Sequence, residues 1–410
     1  MPLGTKRRID LHYYKSMITN DKQFLSDLRL RWKKIQTLLR SCGADACLIT
    51  TNVNLYYTTG AIYAGYLYLP AEGDPHLFIR RPVGIEHPWV TYISKPEQLP
   101  VLLAEMGVKM PEYLILETDE LTYNEVVRLQ KAFEGARFGN ATALLRQARI
   151  TKTPWEIEQF RVSATQHAKL YARVRACYRP DMTDIEFQYE LERESRALGS
   201  LGLFRGFGSS MDIFMGSVLT GDNAEAASPF DFALGGGGLH PSLPIGANGS
   251  LIKEGCTLMV DIAGNYTAYI SDMTRVFSRG KLPDIAYKAH SAALDMVRFL
   301  ETEAKQGYAC ADIFNKCLAM AEAAGLAANF MGTKQQAKFV GHGIGLQINE
   351  LPVLTPRSKE LLEENMVFAF EPKFVLPGIG AVGVENSYLV TASGLEKLTV
   401  FEEDIIPLEG

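Results

Sequence analysis

Several signatures that settle the function of other chains are missing from this sequence. Six cysteines are scattered over 410 residues, and no two of them form a Cys-x-x-Cys pair. Their spacing excludes a disulfide framework and a thiolate zinc site, and it indicates the reduced thiols of a cytoplasmic protein. Low-complexity segments are absent, and histidine is scarce, with seven copies in the whole chain.

An excess of charge and long apolar runs are lacking as well. The net charge of −5 gives no general attraction for nucleic acid or for an anionic membrane. No apolar stretch reaches the ~18–20 residues that span a bilayer. The first residues, MPLGTKRRIDLHYYK, are basic but have no apolar core behind the charges, so we do not expect a secretory signal there. Neither nucleic acid nor a membrane is therefore an expected partner.

Length and pattern predict two domains, residues 1–152 and 153–410. In the first, apolar residues recur at helical spacing from Leu28 to Leu39, Gly43 stops the pattern, and the short strand pattern ACLIT follows. Continued alternation of helix and strand patterns favours an α/β layer domain. This region has neither a Gly-x-Gly-x-x-Gly motif after a strand nor a Walker-type phosphate loop, so the sequence places no chemistry in it.

The second domain has a mixed pattern that predicts an α+β fold. It opens with a helix for which Thr153 is the expected N-cap and Glu156 the partner in a capping box. Asp181 or Thr183 is the expected cap of the next helix. The remaining pattern predicts strands over 203–278, helices over 283–326, strands over 338–402 and, at 235–238, a glycine turn flanked by strands.

Two aspartates stand in a strongly apolar hairpin pattern, TLMVDIAGNYTAYISDMTR, in which Gly-Asn at 264–265 is the turn signal. Asp261 follows three apolar residues, and Asp272 lies on the return strand. A carboxylate in such a run is costly unless something pairs it. Two carboxylates on neighbouring strands also repel each other unless a cation lies between them.

Three more residues of ligand type stand in apolar contexts farther along the chain. His342 is fenced by glycines in GHGIGL, Glu371 precedes a proline in FAFEPKF, and Glu385 lies within AVGVENSYLVT. Each alone has an ordinary structural explanation, as a core histidine or a carboxylate at a strand end. Together with the two aspartates they supply a charge of −4, which two divalent cations cancel, and this composition is typical of an oxygen-rich dinuclear site.

These motifs and their order resemble the pita-bread metallopeptidases, which include Xaa-Pro aminopeptidases, prolidases, methionine aminopeptidases and creatinase. GADACLITTNVNLYYTTG resembles their creatinase-type N-terminal domain, and LLRQARITKTPWEIEQF resembles the start of their catalytic domain. The resemblance covers nearly the whole chain. It implies a creatinase-type α/β domain followed by an α+β pita-bread catalytic domain, and, by analogy, a homodimer.

The resemblance also assigns the metal ligands. Asp261 would chelate one metal, and Asp272 and Glu385 would bridge both. His342 and Glu371 would hold the second metal. The implied cofactors are two divalent ions, for which manganese, cobalt, iron and zinc are all suitable. Creatinase lacks such ligands, so their presence here favours a metal hydrolase.

Catalytic roles follow from the same resemblance. Glu371, beside a metal-activated water, would act as general base. His240, in the loop GGGGLHPSLPIG, would give a proton to the leaving amine. A loop histidine packed beside Pro241 is the alternative for His240.

Two positions depart from the family's pattern. Prolyl-cleaving members usually carry a histidine where this chain has Asn349 and an arginine where it has Gly383, and both groups help to hold the peptide. Lys373 is a candidate replacement, because on a strand it points to the same side as Glu371. A solvated lysine at the rim of the site is the alternative. Asn349 and Lys373 are thus the expected substrate contacts.

Three functions stay open at this point. The leading one is a metal-dependent hydrolase of N-terminal peptide bonds, with small Xaa-Pro peptides as first substrates. The second is a metal-dependent hydrolase or lyase of a small non-peptide substrate on the same scaffold. The third is a binding protein that keeps the fold without catalysis, and the complete ligand set argues against it.

Overall fold

The computed structural model describes residues 22–85, 87–208, 215–230 and 232–409. The basic N-terminal stretch, where no secretory signal is expected, lies outside the described residues. The chain divides into two compact units, Met1–Ala148 and Arg149–Gly410. That border falls four residues before the one expected from the sequence, at 148 rather than 152.

The first unit alternates helices and strands. Its helices are α1 (Lys22–Cys42), α2 (Asn52–Thr59), α3 (Leu99–Glu105), α4 (Tyr123–Ala132) and α5 (Thr142–Ile150), within which the border falls. Its strands are β1 (Ala46–Ile49), β2 (Ala64–Pro70), β3 (His76–Arg81), β4 (Val90–Tyr92), β5 (Tyr113–Leu116) and β6 (Arg137–Asn140). A short 3-10 helix covers Pro96–Gln98.

The six strands form one mixed sheet in the order β4-β3-β2-β1-β5-β6. Strand β1 pairs antiparallel with β2 and parallel with β5. One face of the sheet packs on α3 and α4 through a buried core that includes Leu48, Leu103 and Leu129. Trp32 and Ile35 are buried in α1, which confirms the helical period of the sequence. The predicted α/β class is thereby confirmed for this unit.

The second unit contains five helices among its described residues. They are α6 (Pro154–Tyr171), α7 (Val174–Cys177), α8 (Asp184–Ala197), α9 (Asp284–Glu303) and α10 (Cys310–Ala323). Two 3-10 helices cover Gly221–Glu225 and Ala327–Asn329. The strands are β7 (Gly216–Thr220), β8 (Thr257–Gly264), β9 (Ser271–Ser278), β10 (Gly341–Gly343), β11 (Glu350–Val353), β12 (Val367–Phe370), β13 (Lys373–Leu376), β14 (Gly380–Gly383), β15 (Asn386–Thr391), β16 (Gly394–Lys397) and β17 (Ile406–Pro407).

These strands form two sheets and a ribbon. The sheets have the orders β17-β9-β8-β7 and β11-β10-β12-β15-β16, and β13 and β14 pair with each other to form the ribbon. One apolar core packs α9 and α10, through Met296 and Phe314, with strand residues such as Phe368. A second core packs α6 and α8, through Leu170 and Phe187, on the β8–β9 side. Helices outside antiparallel strands give the α+β class that the sequence predicts.

The capping box predicted for α6 is present, and Thr183, one of the two caps expected for the next helix, forms a second capping box. Glu156 N donates to Thr153 Oγ1, and the Thr153 backbone N–H donates to Glu156 Oε2 at 2.8 Å. Thr183, rather than Asp181, caps α8 in the same way, with Glu186 as the partner. Local sequence decides these helix starts, because the atoms involved lie three residues apart.

The strand-rich prediction for 203–278 is wrong between β7 and β8. The described residues from 221 to 256 contain a 3-10 helix and loop instead of strands, so the glycines at 235–238 are not flanked by strands. This loop is held by side chains: Asn223 Oδ1 accepts from Gly237 N at 2.8 Å, and Asn223 Nδ2 donates to Gly246 O at 3.1 Å. In the described ranges, no helix combines the length and the apolar character needed to cross a membrane.

Candidate metal centre

The β8–β9 hairpin brings Asp261 and Asp272 to the same face. Its register pairs Asp261 with Thr274 and Asp272 with Ala263, so the two aspartates are diagonal neighbours on one side of the strands. The predicted hairpin is therefore confirmed, although its connection runs over residues 265–270 and is longer than a Gly-Asn turn.

The five-stranded sheet places the other three ligand candidates. His342 in β10 lies opposite Ala369 in β12. Glu371 follows β12 and Glu385 precedes β15, two strands that pair antiparallel up to their ends, so the two glutamates adjoin. A backbone bridge between Thr274 and Glu385 joins this sheet to the hairpin.

Ligand atoms of these five residues form two groups, in each of which the atoms lie within 4.8 Å of one another. Asp272, His342 and Glu385 form the first, called here the histidine group. Asp261, Glu371 and Glu385 form the second, called here the carboxylate group. The structure thus brings together all five residues that the sequence and the resemblance single out, and Glu385 belongs to both groups.

The imidazole of His342 is oriented for ligation. Its Nδ1 lies 3.2 Å from Gly343 O, a contact in which Nδ1 is the donor, so the lone pair is left on Nε2. Nε2 lies 3.5 Å from Glu371 Oε1 and 3.9 Å from Asp272 Oδ2. Close approach of the backbone is needed here, since a Cβ on Gly341 or Gly343 would collide with the neighbouring strand.

Lys373 lies inside the carboxylate group. Its Nζ donates to Asp261 Oδ2 at 2.7 Å, to Glu371 Oε2 at 2.7 Å and to Glu385 Oε2 at 3.1 Å. The side chain has no exposed surface, so the rim lysine considered from the sequence is wrong. The expected side is correct, because Lys373 and Glu371 do point the same way. Its assignment as a substrate contact stays a prediction, which this geometry does not favour.

The carboxylates crowd one another beyond what one ammonium compensates. Burial raises the pKa of Asp261 to about 6, although Lys373 acts in the opposite direction. Burial, and then the charges of Glu385 and Asp261, hold the pKa of Asp272 well above its usual range. Burial alone would lower the pKa of Lys373, but its three carboxylate partners keep it well above the usual value. Uncompensated negative charge is therefore concentrated beside His342.

The outer contacts of the ligands were not assigned from the sequence. Thr274 Oγ1 donates to Glu385 Oε2 at 2.6 Å, and Asp272 N donates to Ser387 Oγ at 2.8 Å. Arg275 is fully buried and donates to the backbone oxygens of Thr274 and Glu385, each at 2.8 Å. The arginine inside the apolar pattern SDMTRVF could have indicated such contacts, because a buried guanidinium requires several hydrogen-bond acceptors.

The hydrogen bonds given for His240 and Asn349 go to residues other than the five ligand candidates. His240 is exposed, and its Nδ1 is 2.8 Å from Ser242 Oγ. Asn349 Oδ1 accepts from Phe207 N at 2.6 Å, and Asn349 Nδ2 donates to Phe207 O at 2.9 Å. Asn349 therefore holds the backbone of the loop ahead of β7. The roles expected for both residues toward a substrate stay predictions.

The histidine group fits a divalent cation. It offers a neutral imidazole nitrogen and two carboxylates, a donor set that suits manganese, iron, cobalt and zinc. Glu385 supplies the clearest sign, because its buried Oε1 has no hydrogen-bond partner in the part of the chain that the structure describes. A buried carboxylate oxygen left without a partner is costly unless a cation meets it.

Known proteins are similar to this chain over most of its length. Residues 158–392 match the model of metallopeptidase family M24, and residues 31–151 match the creatinase/prolidase N-terminal domain. The Xaa-Pro dipeptidase of Pyrococcus horikoshii is 25% identical over 394 residues, covering 91% of this chain and 98% of the relative. An uncharacterized peptidase of Bacillus subtilis, YqhT, is 24% identical over 393 residues, covering 92% and 100%.

Solved structures share the fold. An Xaa-Pro dipeptidase from Bacillus anthracis superposes with a TM-score of 0.75 at 23% identity, covering 93% of this chain and 99% of the other. An X-Pro aminopeptidase from Thermotoga maritima gives a TM-score of 0.72 at 22% identity, with 90% and 99% coverage. The pita-bread fold expected for the second unit is thereby confirmed. Since the catalytic model matches more than half of its residues, the chain belongs to metallopeptidase family M24, the metal-dependent peptidases, and carries a creatinase/prolidase N-terminal domain.

Proposed function

We propose that this metallopeptidase hydrolyses N-terminal peptide bonds, and that peptides with proline in the second position are its first substrates. The observation that carries the proposal is the histidine group, in which ligand atoms of Asp272, His342 and Glu385 lie within 4.8 Å of one another and Glu385 Oε1 is buried without a hydrogen-bond partner among the described residues. The Xaa-Pro dipeptidase among the relatives supports the prolyl preference. All of these ligands come from strands or strand ends, which hold side chains in fixed positions.

The residues around this group have distinct parts in the proposed reaction. A bound divalent ion supplies a water of lowered pKa and polarises the scissile carbonyl. Glu371 is the proposed general base, since its Oε1 faces His342 Nε2 at 3.5 Å while Lys373 holds its Oε2 at 2.7 Å. Lys373 thus fixes which oxygen of Glu371 is turned toward the histidine group.

His240 is the proposed donor of a proton to the leaving amine. Its Nδ1 is engaged with Ser242 Oγ at 2.8 Å, so Nε2 is the atom that would act. The exposed loop position suits a group that meets the substrate from outside the ligand cluster. Asn349, which was expected to contact substrate, is proposed to act indirectly, by holding the loop at Phe207.

The proposal extends to the metal, the oligomeric state and the location of the protein. Manganese is the first metal to try, followed by cobalt, iron and zinc, because availability decides among ions at such ligands. The family resemblance implies two ions, and Lys373 Nζ lies where one of them would bind, 2.7 Å from Asp261 Oδ2. We expect a homodimer by analogy with the family. The six unpaired cysteines agree with a cytoplasmic location.

A substrate panel tests the proposed function. Purified protein loaded separately with Mn²⁺, Co²⁺ or Zn²⁺ is assayed against Xaa-Pro dipeptides, Xaa-Pro tripeptides, non-prolyl peptides and small amides. Cleavage confined to the first peptide bond of prolyl substrates, and lost with a chelator, is the expected result. Metal-dependent turnover of small amides without any peptide cleavage would replace the proposal with the non-peptide hydrolase. Light scattering gives the oligomeric state of the same preparation.

A further inference from the structure

The position of Lys373 bears on the number of metal ions. We propose that this chain binds one divalent ion, at the histidine group, and that the Lys373 ammonium takes the place of a second ion in the carboxylate group. The inference rests on the proposed metal-dependent function. It departs from the two ions that the resemblance implies.

The Lys373 ammonium occupies the position that a metal ion would take in the carboxylate group. Nζ of Lys373 lies 2.7, 2.7 and 3.1 Å from oxygens of Asp261, Glu371 and Glu385, which are the three residues of the carboxylate group. A divalent ion bound by the same oxygens has to lie about 2.0–2.5 Å from each of them. The ammonium and an ion therefore compete for one position.

The Lys373 ammonium cannot move out of the carboxylate group without losing its hydrogen-bond acceptors. An ammonium has three N–H donors, and each is directed at one carboxylate. The side chain is completely buried, so moving it aside would leave a charge in the protein interior without acceptors. The same count shows that no donor is left for a substrate carboxylate, which was the role considered for Lys373 from the sequence.

The backbone pairing of β13 fixes the position of Lys373. Strand β13 pairs with β14, and Lys373 lies opposite Gly383. Gly383 has φ +145°, and a Cβ there would collide with the Pro372 carbonyl oxygen and lie 2.8 Å from the Lys373 Cα. The glycine that replaces the family's arginine is therefore required for the close approach that sets Lys373 among the carboxylates. Gly383, one of the two positions that depart from the family's pattern, is thus part of the same structural feature as Lys373.

The histidine group is left open by this arrangement. Glu385 Oε2 is taken by Lys373 and Thr274, whereas its Oε1 has no partner among the described residues. Nε2 of His342 keeps its lone pair, because Nδ1 is engaged with Gly343 O. Charge alone does not decide the count: four carboxylates and one ammonium give −3, which becomes −1 with one divalent ion and +1 with two. Geometry decides it, since the Lys373 ammonium lies where an ion would bind in the carboxylate group, whereas Glu385 Oε1 is buried without a hydrogen-bond partner among the described residues.

Metal stoichiometry and position test the inference without an activity assay. The full chain is stripped with a chelator, reloaded with Mn²⁺ or Co²⁺, freed of excess metal and analysed by plasma mass spectrometry. We expect one ion per chain. Anomalous scattering from crystals of the same samples should give one peak beside His342 Nε2 and none between Asp261 and Glu371. The Mn²⁺ sample should show the electron paramagnetic resonance spectrum of an isolated ion, without exchange coupling.

Two variants separate the two groups. Lys373→Ala opens the carboxylate group and should raise the content from one ion to two. Asp261→Asn alters only the carboxylate group, so the content should stay at one. Lys152→Ala is the matched control: it removes an equally buried ammonium that pairs with Glu350 at 3.2 Å, outside the cluster, and should also leave one ion.

The outcomes distinguish this inference from the proposed function. Two ions in the unaltered chain would overturn the inference and leave the proposed function intact, as would one ion bound at Asp261. A Lys373→Ala chain that stays at one ion would show that the ammonium does not limit the count, which also overturns it. No bound metal in a fully active enzyme would overturn both. If Lys373→Ala fails to fold, the stoichiometry of the unaltered chain and of Asp261→Asn still decides.

Discussion

Asp272 is the residue on which the histidine group depends most directly. Its Oδ2 faces His342 Nε2, and its Oδ1 accepts from Met273 N at 3.1 Å, so the carboxylate is held in place before any metal binds. Asp272→Asn should lower metal content and activity together, by more than the ~10- to 100-fold that loss of an outer partner costs. Plasma mass spectrometry and a peptidase assay measure both quantities. Asp295→Asn, an exposed aspartate paired with Arg298, is the control, and full metal content in Asp272→Asn would contradict the prediction.

His240 allows a test of chemistry without a change in metal binding. Because its proposed part is proton transfer, His240→Ala should reduce kcat by about 10²–10⁴-fold while metal content stays unchanged. Steady-state kinetics on a cleaved peptide, with metal analysis of the same preparation, gives the answer. Ser242→Ala is the matched variant, since it removes the hydroxyl beside Nδ1 but keeps the imidazole and the Ser242 backbone N–H, which donates to Nδ1 at 3.1 Å. Equal turnover in His240→Ala and the unaltered enzyme would reduce His240 to a surface loop residue.

His167 predicts how stability depends on pH. Its ring is fully buried, Nδ1 lies 3.1 Å from Ser271 Oγ, and burial, followed by the charge of Arg275, lowers its pKa from 6.5 to about 3. The folded chain therefore keeps this imidazole neutral at pH values where the unfolded chain protonates it. Its contribution to the free energy of unfolding is complete above pH 6.5 and is lost as the pH falls from 6.5 toward 3.

The matching experiment compares the unaltered chain with His167→Gln, both with a chelator present. Denaturant unfolding is measured at several pH values between 7.5 and 4. Below pH 6, the free energy of unfolding should fall less steeply in His167→Gln, by roughly 1.4 kcal/mol per pH unit. The clustered carboxylates are common to both proteins, so the difference isolates this histidine. Parallel curves would show that His167 does not set the acid sensitivity.

At the scale of helices and strands, the sequence predicts those features that are determined by contacts between residues close together in the chain. The starts of α6 and α8 were predictable because Thr153 and Thr183 bond to groups three residues away. The ligand strands were predictable because an acidic residue inside an apolar run needs a partner. The loop between β7 and β8 was not, since distant side chains hold it: Asp184 accepts from Gly249 N at 2.9 Å across 65 positions of sequence.

Lys373 shows the same limit within the site itself. Strand alternation correctly gives its side relative to Glu371. Alternation does not tell which face of β13 is buried, because that depends on the pairing with β14 and on the close approach at Gly383. Asn349 is a second case. Its hydrogen bonds to the Phe207 backbone join segments 142 positions apart in sequence, and no pattern in either segment predicts them.

The contacts of Asn349, Gly383 and Lys373 lead to a prediction about the length of the preferred substrate. A dipeptide presents a free carboxylate near the scissile bond, and binding it needs a cation or several donors. Asn349 bonds to the Phe207 backbone, Gly383 has no side chain, and Lys373 uses its donors on the carboxylate group. A tripeptide such as Ala-Pro-Ala should therefore have a kcat/KM about 10- to 100-fold higher than Ala-Pro, the cost of an unmatched polar group.

The amide Ala-Pro-NH₂ is the decisive control for that prediction. It removes the carboxylate charge without lengthening the chain, so it should be cleaved like the tripeptide. If length rather than charge mattered, the amide would behave like Ala-Pro. Cleavage of Ala-Pro as efficient as that of both Ala-Pro-NH₂ and Ala-Pro-Ala would contradict the prediction and would point to a cation that these three positions do not supply.

At the scale of the whole molecule, the chemistry is confined to one unit. The ligand groups found among the described residues all lie between Asp261 and Glu385, in the second unit, and none falls in the described part of the first. Each unit also has a buried apolar core of its own. An ion bound by these groups would therefore link strands that are far apart in sequence but all lie within residues 149–410.

This arrangement predicts where a metal stabilises the protein. An ion that binds the folded state adds about 2.7 kcal/mol at 100 times its dissociation constant, because the unfolded chain has no such site. Hydrogen exchange of the most protected amides in β8, β9, β12 and β15 should slow by up to ~100-fold when Mn²⁺ is added, while β1, β2 and β5 should be unaffected. Asp272→Asn, which loses the ion, should show no change in either unit. Equal slowing in β1 and β8 of the unaltered chain would mean that the two units open together, so that the metal stabilises the whole chain rather than the unit that binds it.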